Sequence, residues 1–256
     1  MSSAGVVAPS WNLAIAVVVL VLVAVAAVGA ARLDLRRAIL TAAGRATVQL
    51  AVISALLVAV LGSVWLTFAY LAVMLTVAAL TAAGRLGLPR VRPWTVLPIA
   101  AGALPTAAVV LASGAVPWAP ESILPVVGIL LGGAMTATTL AGRRMTDTLE
   151  QRHGEYEAAL AVGLEPCPAA LEIARPSAGL ALVPPLDQTR TVGLVTLPGA
   201  FVGVLLGGGS PAEAGAAQLL VLVGLLAAEA LAVLVTIQLV ARRRLLSPSL
   251  VARLPT

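Results

Sequence analysis

Long apolar runs, each about 20 residues and joined by short connections, fill most of this chain, and no other feature constrains its fold as tightly. A run of that length is what a helix needs to cross the hydrocarbon core of a bilayer, roughly 30 Å at about 1.5 Å per residue. Hydrophobic residues make up 60% of the 256, charged residues only 11%, and mean hydropathy is +1.05. That composition excludes an ordinary water-soluble domain, and the length leaves no room for a large one beside the membrane helices. The 23 glycines and 17 prolines do not argue for disorder, because packed membrane helices tolerate both. The expectation is an all-α polytopic membrane protein of about seven transmembrane helices, forming a single domain over residues 1–256.

The expected spans are residues 11–30, 38–61, 64–83, 94–112, 122–141, 191–206 and 214–240. The sixth is short and interrupted by Pro198, so it is expected to bend there or to begin as helix near Asp187. The first run is preceded by no basic residue and followed by more membrane sequence, which reads as a span and not as a secretory signal.

All 16 basic residues are arginine. Threading the seven spans puts every one of them on a single side, whereas the opposite loops hold only Glu121 and Glu213. Basic residues concentrate on cytoplasmic loops, so the amino terminus is expected outside and the carboxyl terminus in the cytoplasm. This distribution also accounts for the formal charge of +5 without a nucleic-acid partner. A chain without lysine cannot hydrolyse ATP through a Walker loop. One cysteine and one histidine exclude an internal disulfide, a thiolate cluster and a multi-histidine zinc site. No catalytic residue and no cofactor are expected in this chain, and no metal site can be named from it.

Two glycine ladders stand at four-residue spacing, Gly128 with Gly132 and Gly199 with Gly203 and Gly207. That spacing keeps small residues on one helix face, where they serve either packing within the chain or a subunit interface or moving seam. Gly132 and Gly133 with Thr136, Thr138 and Thr139 make a small polar face on the fifth span. Glu229 is the acidic residue in the middle of a span, and a carboxyl there costs enough to suggest a bundle interior or a water-filled route. It serves either transport or structure as a neutral hydrogen-bonded group. Gln49 and Gln218 are further candidates for a translocation path, or polar glue between helices. Asp187 and Arg190 stand where the chain re-enters the membrane, as a helix cap and water-boundary anchor or as a gate. Pro198 would bend or unwind the helix beyond them.

Residues 143–184 form the long polar stretch between spans five and six. Met145, Leu149, Tyr156, Leu160 and Leu164 recur in it at helical spacing between acidic residues, with a break expected at Gly154 and an end at Pro166 and Pro168. A structured polar segment of this length is unusual for a connector, and its acidity disfavours an anionic lipid surface, so a protein partner is expected to dock on it.

Within this stretch Glu157, Ala158 and Ala159, followed by Gly163, Ile173, Arg175 and Pro176, resemble the cytoplasmic Glu-Ala-Ala loop of ABC transporter permeases, with arginine at 175 where that loop carries leucine. Together with residues 44–50, 130–134 and above all 187–200, they make the chain similar, over roughly residues 10–245, to the FetB-like family of integral-membrane permeases associated with iron export. The resemblance implies a permease that pairs with a second copy of itself and with two copies of a cytoplasmic ABC ATPase subunit, which supplies the ATP and magnesium. It implies export of metal ions such as iron across a bacterial plasma (inner) membrane. It also implies that Tyr156, Glu157, Ala158, Ala159, Leu160 and Gly163 form the coupling contact, with Tyr156 and Leu160 as apolar anchors. The competing readings are an ion-coupled secondary transporter using Glu229 and a membrane scaffold without a transport cycle.

Overall fold

A computed structural model describes residues 10–88 and 93–255. Arg90 and Arg92, which entered the charge argument, lie outside the described residues. Among the described residues six helices are long and apolar enough to cross a membrane, and the chain divides after Ser63 into two compact units.

The first unit is a helical hairpin. Helix α1, Trp11–Ala30, starts where the Ser10 hydroxyl accepts the Leu13 N–H at 3.2 Å, which satisfies one of the donors a helix start leaves open. Helix α2 covers Arg36–Leu61. The chain reverses through residues 31–35 with Arg32 in the left-handed region at φ 55°, and the Arg36 guanidinium lies against Gly29, where any side chain would displace it. Among the described residues α1 buries none and α2 only Val60.

The second unit holds α3, Val64–Arg85; α4, Pro93–Ala112; α5, Pro120–Gln151; α6, His153–Ala161; and α7, Pro166–Ala178. A short 3-10 turn, Gly179–Leu182, leads to α8, Val183–Thr191, and α9, Gly199–Leu206; α10, Pro211–Ala241, and α11, Pro248–Arg253, follow. The core sits where α10 lies along α5 and α4, with α3 completing it against α4 and α5. Small residues make this approach possible. A side chain at Gly102 of α4 would run into the Ala228 carbonyl oxygen of α10, and one at Gly128 of α5 would stand 3.0 Å from the Met74 methyl of α3.

The order of these contacts gives the helix directions. Leu130 and Gly133 of α5 meet Gly224 and Glu229 of α10 in the same sense, whereas Gly102 and Val110 of α4 meet Ala228 and Gly224 in the opposite sense. Helices α5 and α10 are therefore parallel, and the chain between them must come back across the bundle.

That return is the expected sixth span, and it is not one helix over 191–206. Thr191 ends α8, residues 192–198 are non-helical with Gly193 at φ 78°, and α9 resumes for only eight residues. Pro198 has no N–H to continue a helix and stands at the N-cap of α9, so it starts a new helix and does not bend an old one. Helix α8 opens with Pro184 and Pro185 in its first turn, which moves Asp187 into its body. Asp187 therefore caps no helix; its carboxylate meets Arg190 at 3.5 Å on an exposed face.

The fifth span also differs in length. Helix α5 runs unbroken for 32 residues and carries Arg143, Arg144 and Met145 beyond the apolar stretch. Its break comes at Arg152 and not at Gly154, and the second surface helix opens at Pro166.

Candidate functional site

Two places in the second unit gather the residues singled out from the sequence. The first is the seam between α5 and α10. Glu229 lies in the middle of α10 with 8% of its surface exposed, and an added methyl at Gly133 would stand 2.7 Å from its Oε1. The carboxyl thus packs on bare backbone that only glycine leaves open, and it has neither a hydrogen-bond nor an ion-pair partner among the described residues. The polar face predicted on α5 divides. The hydroxyls of Thr136 and Thr139 donate to their own helix, to Gly132 O at 3.0 Å and Met135 O at 2.9 Å, while the buried Thr138 hydroxyl has no partner.

Toward the amino-terminal end of α10, Gln218 is buried and accepts the Phe201 N–H at 3.3 Å through Oε1. Phe201 lies in the first turn of α9, where backbone donors have no partner within the helix, so Gln218 supplies from α10 what Pro198 cannot. A cavity of about 280 Å³ adjoins this break, lined by Gln218, Thr189, Gly193, Pro198 and Phe201 among others. A second, almost wholly apolar cavity of about 350 Å³ opens between α4, α5, α9 and α10, with Glu121 at its edge.

The glycine ladders have different fates. Gly128 and Gly133 are in close packing, while among the described residues nothing beyond the helix's own backbone lies within 4 Å of a Cβ placed at Gly132, Gly199 or Gly203. Gln49 lies exposed on α2 of the first unit.

The second place is α6 with its surroundings. Glu157 and Ala158 are exposed, Ala159 and Leu160 half-buried, and Gly163 turns the chain out of the helix at φ 96°, a conformation that favours glycine. Tyr156 faces the other way. It is 1% exposed, and its hydroxyl accepts from Arg243 at 2.8 Å and donates to Pro255 O at 3.3 Å. The apolar stripe of Met145, Leu149 and Tyr156 is thus turned onto the chain itself, so Tyr156 is not an outward anchor for a partner. Its size and spacing read alike in either direction. Arg152 pairs with Glu155 and holds that carboxyl below its usual range by hydrogen bonding, on a fully solvated surface.

Sequence reasoning missed several contacts, three of them in and around the bundle. Arg143 Nε donates to Arg85 O at 2.8 Å, Arg244 lies 5.0 Å over the Trp94 ring, and Gly102 meets α10 backbone. Only the placement of arginine and glycine at helix ends and in spans hinted at them. Among the described residues no three His, Cys, Asp or Glu side chains come together as metal ligands would.

Six long apolar helices, a core of small residues and a broken return crossing define a polytopic helical membrane protein. The chain belongs to the uncharacterised protein family UPF0014, whose model matches residues 10–245. It is 37% identical over 195 residues to the UPF0014 membrane protein STAR2 of Oryza sativa subsp. japonica, covering 75% of this chain and 68% of that one. It is 34% identical over 194 residues to the protein ALUMINUM SENSITIVE 3 of Arabidopsis thaliana, covering 74% and 71%. Over 145 residues it is 31% identical to the "Probable iron export permease protein FetB" of Escherichia coli strain K12, covering 57% of this chain and 56% of that one. No solved structure matches the chain.

Proposed function

We propose that this chain is the membrane-spanning permease subunit of an ATP-driven exporter of metal cations, iron among them. It works as a pair of copies in a bacterial plasma membrane, with a separate ATPase subunit docked on α6 of each. The observation that carries this reading is α6 itself. It is a short helix beyond the end of α5 that presents Glu157 and Ala158 outward and is closed by the left-handed Gly163. A nine-residue helix with one buried residue has little reason to stand at a membrane surface unless another protein uses its free side. The name of the Escherichia coli relative supports permease and iron export.

The bundle supports one sidedness. The parallel helices α3, α5 and α10 carry Arg85, then Arg143 and Arg144, then Arg242, Arg243 and Arg244 toward or just beyond their carboxyl-terminal ends, a concentration of arginine that favours a cytoplasmic face there. ATP binding closes the partner's dimer, pushes on α6, and shifts α10 against α5 at the Gly133–Glu229 seam. Bundles of this kind change by discrete repacking, for which bare glycine faces leave room.

Co-expression of the chain with its ATPase, followed by purification and ATP-driven metal efflux from vesicles, tests the reading. Gly163→Trp is expected to abolish both the complex and efflux, and an undiminished complex would count against docking on α6. The buried carboxyl of Glu229, unpartnered among the described residues, favours one second reading, a transporter driven by an ion gradient. Efflux that follows a proton gradient, needs no ATPase and is lost in Glu229→Gln would select it.

A further inference from the structure

We propose that the segment 243–255 is a strap that sets the pose of α6, with Arg243 and Tyr156 as positioning residues for the docking surface. The inference rests on the reading of α6 as a docking helix and adds what holds that helix at its angle. Tyr156 is the buried residue among the nine of α6, and its hydroxyl is gripped from two sides by the strap. Arg243 donates to it and also to Leu254 O, at 3.2 Å, and to Pro255 O. His153 Nε2, which must donate to a carbonyl, meets Arg253 O at 3.1 Å, and Arg253 reaches back to Glu150 of α5 at 2.7 Å. The strap is itself well packed, with Leu245, Leu246, Leu250 and Leu254 buried and α11 capped by the Ser247 hydroxyl.

The backbone at Arg243 shows that its side chain matters. Helix α10 ends with the Arg244 N–H bonded to Leu239 O and the Arg243 N–H to Val240 O, both at 2.8 Å, which places Arg243 in the left-handed position at φ 59°. Glycine fills that position most easily. An arginine held there against its backbone preference delivers a guanidinium from the end of α10 to the buried residue of α6. The helix that carries Glu229 is thereby tied to the helix on which the partner would sit, so a shift of α10 is transmitted to α6 through hydrogen bonds to a charged group.

Arg243→Gly separates positioning from mere stability, because it relaxes the helix end while removing the grip. In full-length protein in nanodiscs, in a Cys167→Ser background, spin labels at Asp147 and Ala158 report the distance between α5 and α6. Arg243→Gly and Tyr156→Phe are expected to broaden that distribution without lowering the melting temperature, and Arg243→Lys to restore it in part. They are also expected to weaken binding of the co-expressed ATPase about tenfold, the size of one lost hydrogen bond to a charged group. Unchanged label distances in both variants overturn the strap, as does a lower melting temperature with distances unchanged. If the unaltered chain binds no ATPase, the docking reading fails on that result, while the label distances decide the strap by themselves.

Discussion

The hairpin of α1 and α2 and the seam of α4, α5 and α10 are built from the same kind of apolar run and come to opposite ends. Helix α1 is the most apolar of the six spans and buries nothing, whereas half of the most apolar stretch of α4 and of α5 is buried. In water the greasier helix would be the inner one. In a bilayer lipid is as apolar as leucine, so burial is decided by how closely backbones can approach. Helices α4, α5 and α10 approach through Gly102, Gly133, Gly224, Ala228 and Ala232; α1 carries only valine and leucine through its middle, residues 17–23, and keeps its glycine and alanines toward its two ends. Size, not hydrophobicity, selects the core.

The strongest way to break this comparison is to make the seam bulky. Gly102→Leu drives a side chain into backbone that cannot give way and is expected to cost about 3 kcal/mol or the folded protein altogether, read as the melting temperature in detergent. Gly44→Leu on α2, with open space around it, should stay within about 0.5 kcal/mol. Equal losses would refute the rule.

A smaller effect of opposite sign is expected at Glu229. Glu229→Leu removes a buried carboxyl that has no partner among the described residues and should raise stability by about 1–2 kcal/mol while transport is lost, measured by melting and efflux on one preparation. Next comes Gln218→Ala, which strands the Phe201 N–H. About 1–2 kcal/mol is expected, felt locally as faster hydrogen exchange in α9 with α1 unaffected.

The smallest effect lies on α6. Arg152 lowers the Glu155 pKa in the folded state, so the pair's contribution is complete above the unfolded carboxylate range and fades as pH falls through the lower folded value. The protection of α6 amides, taken relative to their intrinsic exchange rate at each pH, should therefore fall slightly in acid, and Glu155→Gln should abolish that dependence, as suits an exposed pair.

Much of the architecture was legible because a bilayer imposes length and composition directly. The runs at 11–30, 64–83 and 94–112 became helices with nearly the same bounds. Glu229 and Gly133 were each visible as unusual residues, but not that they meet, since that depends on the rotation of α10 against α5. The broken crossing was half legible. Pro198 announced a disturbance, while the left-handed Gly193 and the opening of α8 at Val183 need tertiary context. The contacts that hold α6 were not legible at all. His153 and Arg253 stand 100 residues apart, and no local pattern records a bond over that distance.

The discontinuous return has a consequence for how the protein is made. Eight residues of α9 reach only about 12 Å, less than half the hydrocarbon thickness, so this segment has no means of settling in lipid when it first leaves the ribosome. Its first-turn amide waits for Gln218, which is synthesised 17 residues later. The stretch after α8 is therefore expected to settle in the bilayer only once α10 has emerged, the last two passages entering as one hairpin.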